Sequence, residues 1–519
     1  MLLVADPEAI NQITTRRNDF PKPTEIYQSV DLYGKNVVST EGQLWRHHRK
    51  ITSPPFTERN NVLVWQESLH QAQSMMTHLC DGKDSSGRLE NVADIAMTLA
   101  LYVISKAGFG VRLQWPHEET TVKIAPGHKL TYKEALETLL LNVITVMLTP
   151  KWLLRNSPLK IHKIANQAFV EWGMYMREMY DAKRAQVKSG DGDPADGGLD
   201  LMGALVKGAG ITAESLNSKE KTSASSGQLL SDDEILGNAF VFILAGHETA
   251  ANTVHFAILY LAMHMSSQRR LQDEIDAIVG DKPISEWDYD VEMPKLFGSM
   301  CGAVMNEVLR LIPPVVGIPK CTPKGQPQGL NINGQHVTVP GGCFVEIEAS
   351  AVHRNDKFWP GGDLDEFEPE RWFLNSDKQN GHANEDTYGE AGLEFDGPDK
   401  RADTAPSLFR PQKGQYVPFS EGFRSCLGRR FAQVEILAVL AVIFREWTVE
   451  LDVGAYMSDE EFATASEEAK RAAWGKADAK ARDLLKNGMM TIITIQMRGE
   501  KVPFRFVRRG TERFGFMRD

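Results

Sequence analysis

Ten residues, Phe419-Ser420-Glu421-Gly422-Phe423-Arg424-Ser425-Cys426-Leu427-Gly428, place one cysteine in surroundings suited to hold a thiolate against a metal ion. Arg424, two positions before Cys426, supplies a positive charge that favours the ionised sulfur or binds an anionic group of a cofactor. Gly422 and Gly428 allow a sharp turn or a close backbone approach where a side chain would collide. After Cys426 the apolar residues Phe431, Val434, Leu437 and Ala438 recur on one helical stripe. The sulfur is therefore expected at a helix N-terminus, where free amides and the dipole favour negative charge. Phe419 is placed to shield it from water and oxidants. A lone cysteine is more often a small buried hydrophobe, but that reading leaves the Phe, the two Gly and the Arg at fixed offsets unexplained.

This spacing, Phe-x-x-Gly-x-Arg-x-Cys-x-Gly, resembles the heme-binding loop of the cytochrome P450 family. The resemblance implies that Cys426 is the axial thiolate ligand of a heme b iron, the ligand type that pushes electron density toward O–O cleavage. Phe419, Arg424 and Gly428 would then lie against the heme.

A second signal lies in a long helical pattern. Ala239-Phe240-Val241-Phe242-Ile243-Leu244 is apolar all round, so this portion is expected to be buried. Into it break Ala245-Gly246-His247-Glu248-Thr249-Ala250. Burying a carboxylate and a hydroxyl costs several kcal/mol unless they are paired. Gly246 weakens the helix by roughly 1 kcal/mol relative to Ala and opens room beside the backbone. The bland reading is a buried network that fixes helix packing. The segment resembles the family's Ala/Gly-Gly-x-Asp/Glu-Thr motif, which implies an oxygen-binding kink with a proton relay. Thr249 would hydrogen-bond the dioxygen and Glu248 would help deliver protons. Ala250 stands where many relatives carry a second hydroxyl.

Glu307 and Arg310 share one helical face, a spacing that alone usually means a solvated ion pair. With Arg371, in Phe367-Glu368-Pro369-Glu370-Arg371-Trp372, they resemble the family's Glu-Arg-Arg triad, a buried network that locks the cysteine loop onto the core. His353-Arg354-Asn355 and Trp359-Pro360 match the segment expected ahead of that arginine. Trp45 and Arg49, four apart on an early helix, resemble the Trp-x-x-x-Arg pair that contacts heme propionates, and Lys320 stands where relatives often offer another propionate-binding cation. Without that context Trp45 and Arg49 would be a core anchor and a surface charge. Arg46, His47, His48 and Lys50, with Lys413, Arg429 and Arg430, are expected to form a basic face that docks an acidic flavoprotein electron donor.

These groups need a scaffold, and the chain supplies one. Helices are expected over 43–52, 61–80, 91–107, 132–148 and 161–187, after a short one from Asp6-Pro7-Glu8 through Thr14 and a loop to about Gly42. Ser231-Asp232-Asp233-Glu234 is a capping box opening a helix to about His264, and another helix covers 298–311 before Pro313-Pro314. Asn333-Gly334 between Leu330-Asn331-Ile332 and Val337-Thr338-Val339 predicts a hairpin. Segments 489–497 and 502–508, around Arg498-Gly499-Glu500, predict a second. Connections fall at 189–200 and 217–227, and peripheral inserts at 376–412 and 454–486. No repeat or internal domain boundary interrupts 1–519, so a single domain is expected.

A hydrophobic content of 42% with 24% charged residues excludes a disordered or fibrous chain. A net charge of −11 and no strongly basic segment argue against a nucleic-acid partner. The cysteines Cys80, Cys301, Cys321, Cys343 and Cys426 are scattered, odd in number and not in CxxC pairs. That fits a reducing compartment and excludes a disulfide scaffold or zinc ribbon. Met1 to Val4, stopped by Asp6-Pro7-Glu8, is neither a signal peptide nor a membrane span. Residues 136–148, the most apolar stretch, are too short to cross a bilayer and are expected to form a buried or surface-docked helix.

The expectation is a mainly α cytochrome P450 fold with a small β region and a long central helix over one heme b. The wording from Val37 to Trp45 resembles filamentous-fungal members of the microsomal type. Such members usually carry an anchor, a first helix and a strand pair before the Asp-Pro-Glu segment, so the chain is read as N-terminally shortened, without the opening strands. The implied reaction is insertion of one atom of dioxygen into an apolar organic substrate, typically as a hydroxylation, in fungal secondary metabolism or detoxification. Electrons would come from NADPH through a separate cytochrome P450 reductase, with cytochrome b5 as a second donor, since no Gly-rich nucleotide fingerprint is present. Two alternatives stand beside it. One is an isomerase or dehydratase of the same fold that needs no external electrons, against which the Glu248-Thr249 pair argues. The other is a non-catalytic heme protein, because missing strands would expose core and edge. The protein is expected to be a monomer at the cytosolic face of the endoplasmic reticulum membrane, without an anchor of its own. Segments 20–38, 136–148, 240–245, 314–319 and 485–491 are the candidate linings of its substrate pocket.

Overall fold

The computed structural model describes residues 1–56, 58–80, 87–119, 124–189, 200–209, 230–373 and 403–517. Helices dominate, and the longest, Asp232–Met263, runs through the core. Its start is set by a capping box: the Glu234 amide donates to Ser231 Oγ, and the Ser231 amide donates back to the Glu234 carboxylate. Asp232, Asp233 and Glu234 also place negative charge where the helix dipole favours it. The run from Ala239 to Leu244 is buried on every side. This central helix packs most extensively against Val92–Phe109, an apolar helix long enough to cross a membrane but mostly buried, as a core helix is.

The helix that follows the cysteine, Arg429–Glu446, buries Phe431 and all of 433–444 and packs along Glu58–Cys80. The helix Met300–Leu311, buried along its whole length, touches both it and the central helix. These three hold the site from below and above.

The β structure is small. Leu2–Val4 pairs in parallel with Phe344–Glu348, which pairs antiparallel with Gly317–Cys321. Arg88–Leu89, Phe504–Arg508 and Trp447–Leu451 form a second sheet. The Asn333-Gly334 hairpin forms as expected, both residues at positive φ.

Four expectations need correction. Residues 489–508 are not one hairpin: Met489–Thr491 pairs with Ile495–Met497, whereas Phe504–Arg508 joins Trp447–Leu451, a strand hidden in sequence because it continues directly from a helix. The 132–148 helix is two helices, Tyr132–Leu141 and Val143–Leu148. Asn142 separates them, its side-chain amide donating to the Thr138 carbonyl in competition with the helix backbone. Leu2–Val4 forms a strand where opening strands were expected to be missing. Most of the expected 376–412 insert lies outside the described residues, but its end is core: Ala405, Leu408 and Phe409 are buried. The 454–486 segment folds as Asp459–Thr464 and Glu467–Asn487, with one face docked through Phe462, Ala477 and Leu484. The 189–200 and 217–227 connections lie, but for the edges of the first, outside the described residues.

Candidate active site

The cysteine loop is a chain of tight turns. Ser420 and Gly422 both take positive φ, and a Cβ on Gly422 would sit 2.4 Å from the Thr14 carbonyl oxygen, so only glycine fits there. The Cys426 amide donates to the Phe419 carbonyl at 2.8 Å, closing the loop. Arg49 Nη1 donates to the Ser425 carbonyl at 2.8 Å, tying the loop to the helix Gly42–Thr52. Gly428 caps the Arg429–Glu446 helix, so Cys426 stands two residues before that cap. Of the five cysteines, Cys80 and Cys301 are buried, Cys321 and Cys343 half-buried, and Cys426 alone is exposed.

Cys426 opens into a cavity of about 360 Å³. Its walls include Phe56, Val241 and Phe242, then Ala245, Gly246 and Thr249 of the central helix, and Pro314 to Lys320. Among the described residues four cations line it, Lys22, Arg49, Lys320 and Arg424, and no Asp or Glu does. Arg424 is matched from behind by Glu41 at 2.7 Å and the Thr40 carbonyl at 2.7 Å, and its guanidinium lies 4.4 Å over the Trp45 ring. Against the upward push of burial, Arg424 holds the Glu41 carboxyl below its usual range. Lys320 is only 3% exposed, and Nζ finds no hydrogen-bond or ion-pair partner among the described residues. Burial, with Arg424 nearby, pushes its ammonium down to about 8. Burial likewise holds Lys22 well below the usual lysine range; its Nζ donates to the Val38 carbonyl at 2.9 Å.

The central helix continues unbroken through 245–250, so the expected kink does not appear as a break. The Thr249 hydroxyl donates to the Ala245 carbonyl at 2.9 Å and lines the cysteine cavity. Glu248, its neighbour, does not: it turns into a second cavity and takes a hydrogen bond from Thr494 Oγ1 at 2.6 Å. A Cβ on Gly246 would meet Ile104 at an ordinary 3.5 Å.

Behind the loop, Glu307, Arg310 and Arg371 meet with no side-chain exposure. Arg310 donates to both Glu307 oxygens at 2.8 and 2.9 Å, Arg371 Nε at 2.9 Å and Trp372 Nε1 at 2.9 Å. The remaining guanidinium N–H groups reach the carbonyls of His353, Leu364, Pro360 and Asp363. His353 carries this anchor to the cysteine loop. Its Nε2 accepts from the Val417 amide at 2.8 Å, so Nδ1 must hold the proton, which it directs at the Arg310 carbonyl 3.1 Å away. Burial keeps the ring neutral, its pKa pushed down to about 3.

The site residues expected from sequence thus gather at the cavity or its anchor, except Glu248. The pocket linings fare less evenly. Segments 20–38, 240–245 and 314–319 contribute, but 136–148 and the neighbours of 485–491 line the second cavity. Sequence reasoning missed Phe56, Ile104 and Leu201, and reached Lys22 only as part of the 20–38 segment, without singling out its charge. The basic face is also smaller than expected. His48 is fully buried, its Nδ1 2.9 Å from Asn238 Nδ2, and Arg429 is buried against Asp403 at 3.0 Å. Both lie on the packed side of their helices, where a charge survives only when partnered.

Comparison with known proteins settles the family. The model of the family described as Cytochrome P450 matches residues 1–470. The chain belongs to the cytochrome P450 family. It is 32% identical over 463 residues to "Cytochrome P450 monooxygenase 124" of Postia placenta, covering 89% of this chain and 77% of that one. It is 31% identical over 459 residues to "Cytochrome P450 monooxygenase AOL_s00215g278" of Arthrobotrys oligospora, covering 87% and 75%. The crystal structure of the cytochrome P450DA heme domain superposes with a TM-score of 0.64 at 19% identity, covering 98% of this chain and 87% of that one, and so shares the fold. This P450 is accordingly a monooxygenase of a heme-dependent, redox-partnered family.

Proposed function

We propose that the chain holds heme b through a Cys426 thiolate and hydroxylates an apolar organic substrate in the cavity under the central helix. The observation that carries this reading is the cavity's charge pattern: an exposed thiol, four cations and no carboxylate among its lining residues. Lys320, buried without a partner among the described residues, fits an anionic group brought by a ligand. The two propionates of heme would lie among Lys22, Arg49, Lys320 and Arg424, with Trp45 beneath the last. When bound, the heme supplies dioxygen activation.

The protein's own residues do the rest. The loop turns and the Arg49 contact orient the sulfur, and the following helix N-terminus favours its ionised form. Val241, Phe242 and Ile318 exclude water and offer apolar contact. Thr249 presents a hydroxyl over the cavity, and Glu248 is the proton source behind it. A hydroxyl and a carboxyl so close to an apolar pocket favour proton-coupled oxygenation over electron-free rearrangement. Electrons reach the site from NADPH through a separate reductase, or cytochrome b5, docking on Arg46, His47, Lys50, Lys413 and Arg430.

The reading includes a single domain acting at the endoplasmic reticulum membrane. Its support is the stretch between Glu137 and Glu171, which has no acidic residue but carries Lys151, Arg155, Lys160 and Lys163. Leu141 (87% exposed), Leu148, Trp152 (69%) and Ile161 stand out from that stretch into solvent. Apolar, aromatic and cationic side chains together suit a lipid surface with anionic headgroups. Secondary metabolism or detoxification is the proposed setting. The test is reconstitution with a reductase and NADPH under isotopically labelled dioxygen: one labelled atom in the product supports oxygenation, and label only in water with an unlabelled, isomerised product overturns it.

A further inference from the structure

Glu248 faces away from the cavity that needs its proton. Its carboxyl forms part of the wall of a separate cavity of about 550 Å³. Asn252 Nδ2 donates to Thr494 Oγ1 at 3.1 Å, and an amide nitrogen can only donate, so the threonine hydrogen must go to Glu248 Oε1, 2.6 Å away. Gln496 Nε2 donates to the same oxygen. Asn252 and Thr494 are each 2% exposed, so these two donors are buried. Glu248 Oε2 receives no hydrogen bond from the described residues. The charged and titratable groups facing this cavity are Asp94 from the helix Val92–Phe109, Glu137 from Tyr132–Leu141, His247 beside Glu248, and Arg498 and Lys501 after the last hairpin. Burial raises the Glu248 carboxyl, while Thr494 and Arg498 pull it back. Burial also keeps His247 neutral, at about 4.

We propose that Asn252, Thr494 and Gln496 are positioning residues that clamp Glu248 Oε1, leaving Oε2 to take its proton from solvent in the second cavity. This rests on the reading of Glu248 as proton source. A solvent proton adds to Oε2; when it passes on toward Thr249, the carboxylate left behind is held by the two donors on Oε1 and reloaded from the same cavity. The C-terminal hairpin Met489–Met497 thereby sets the proton supply of the site.

The test uses the heme-loaded protein and the infrared stretch of a protonated carboxyl, assigned to Glu248 by its loss in Glu248→Gln. Thr494→Val and Gln496→Leu remove donors that favour the ionised form, so the titration midpoint should rise by roughly one pH unit, and Thr494→Ser should restore it. Product formed per NADPH should fall in both variants, with the carbon monoxide spectrum intact, and should fall no further when either is combined with Glu248→Gln. An unmoved midpoint, or an added loss in the Glu248→Gln background, overturns the clamp. If Glu248→Gln leaves the product yield unchanged while the midpoint still shifts, it is the proton-source reading that fails, and the proposal with it.

Discussion

The anchor and the cavity of this P450 bury charge in opposite ways. Around Glu307 every charge is answered: two guanidiniums, an indole N–H and the Glu368 amide converge on one carboxylate, and backbone carbonyls take what remains. Around Cys426 four cations face a described lining that holds no carboxylate, and Lys320 has no hydrogen-bond or ion-pair partner among the described residues. A satisfied buried network fixes geometry; an unsatisfied one is costly unless something else completes it. The difference separates the residues that build the site from those that wait for a ligand.

Breaking the anchor should cost most. Arg371→Leu leaves Glu307 short of a buried partner, and the loss should be about 3–5 kcal/mol, read as a fall in urea midpoint and in recovery of heme-loaded protein. His353→Phe comes next: it strips the Val417 amide and the Arg310 carbonyl of their partner, for roughly 2–3 kcal/mol, while the anchor itself stays paired. The same histidine predicts an acid limb. Its folded pKa of about 3 lies below the unfolded 6.5, so the unfolded chain binds more protons in that window. Stability is therefore present above 6.5 and lost as pH falls toward 3, with His247 and His255 acting in the same sense. His353→Phe should lessen that slope by one proton's share.

Lys320→Met sharpens the contrast by reversing the sign. Removing an unpaired buried ammonium should stabilise the heme-free chain by roughly 1–3 kcal/mol while weakening heme retention. Its folded pKa of about 8 lies below the unfolded 10.5, so heme-free wild type should gain stability as pH rises from 8 toward 10.5, and the variant should not. Thermal unfolding across that range, with and without heme, reads both effects. The smallest structural change is Thr249→Val, which loses a helix back-bond worth less than about 1 kcal/mol. Its product yield should nonetheless drop about tenfold or more, with NADPH consumption continuing.

Much of this could be read in the residues themselves. Capping at Ser231, the Asn333-Gly334 turn and the apolar run from Ala239 to Leu244 are local signals, and each appears where expected. The Glu307, Arg310 and Arg371 positions came from motif order, and the structure brings them within hydrogen-bonding distance. What escaped depends on which way a side chain turns. Glu248 and Thr249 are adjacent in sequence but about 100° apart around a helix, and only packing against the Met489–Met497 hairpin shows that they face different cavities. His48 and Arg429 look like surface charges until their helices are docked. Phe504–Arg508 chose its partner by a long-range pairing that no turn residue announces.

The most direct test of the central claim is the carbon monoxide difference spectrum of the reduced protein, taken on wild type and on Cys426→Ser. Wild type should give the long-wavelength Soret band of a thiolate-ligated carbonyl complex, and Cys426→Ser should not. A wild-type spectrum holding only the short-wavelength band, or a long-wavelength band that survives in Cys426→Ser, would contradict the assignment of Cys426 as the heme ligand.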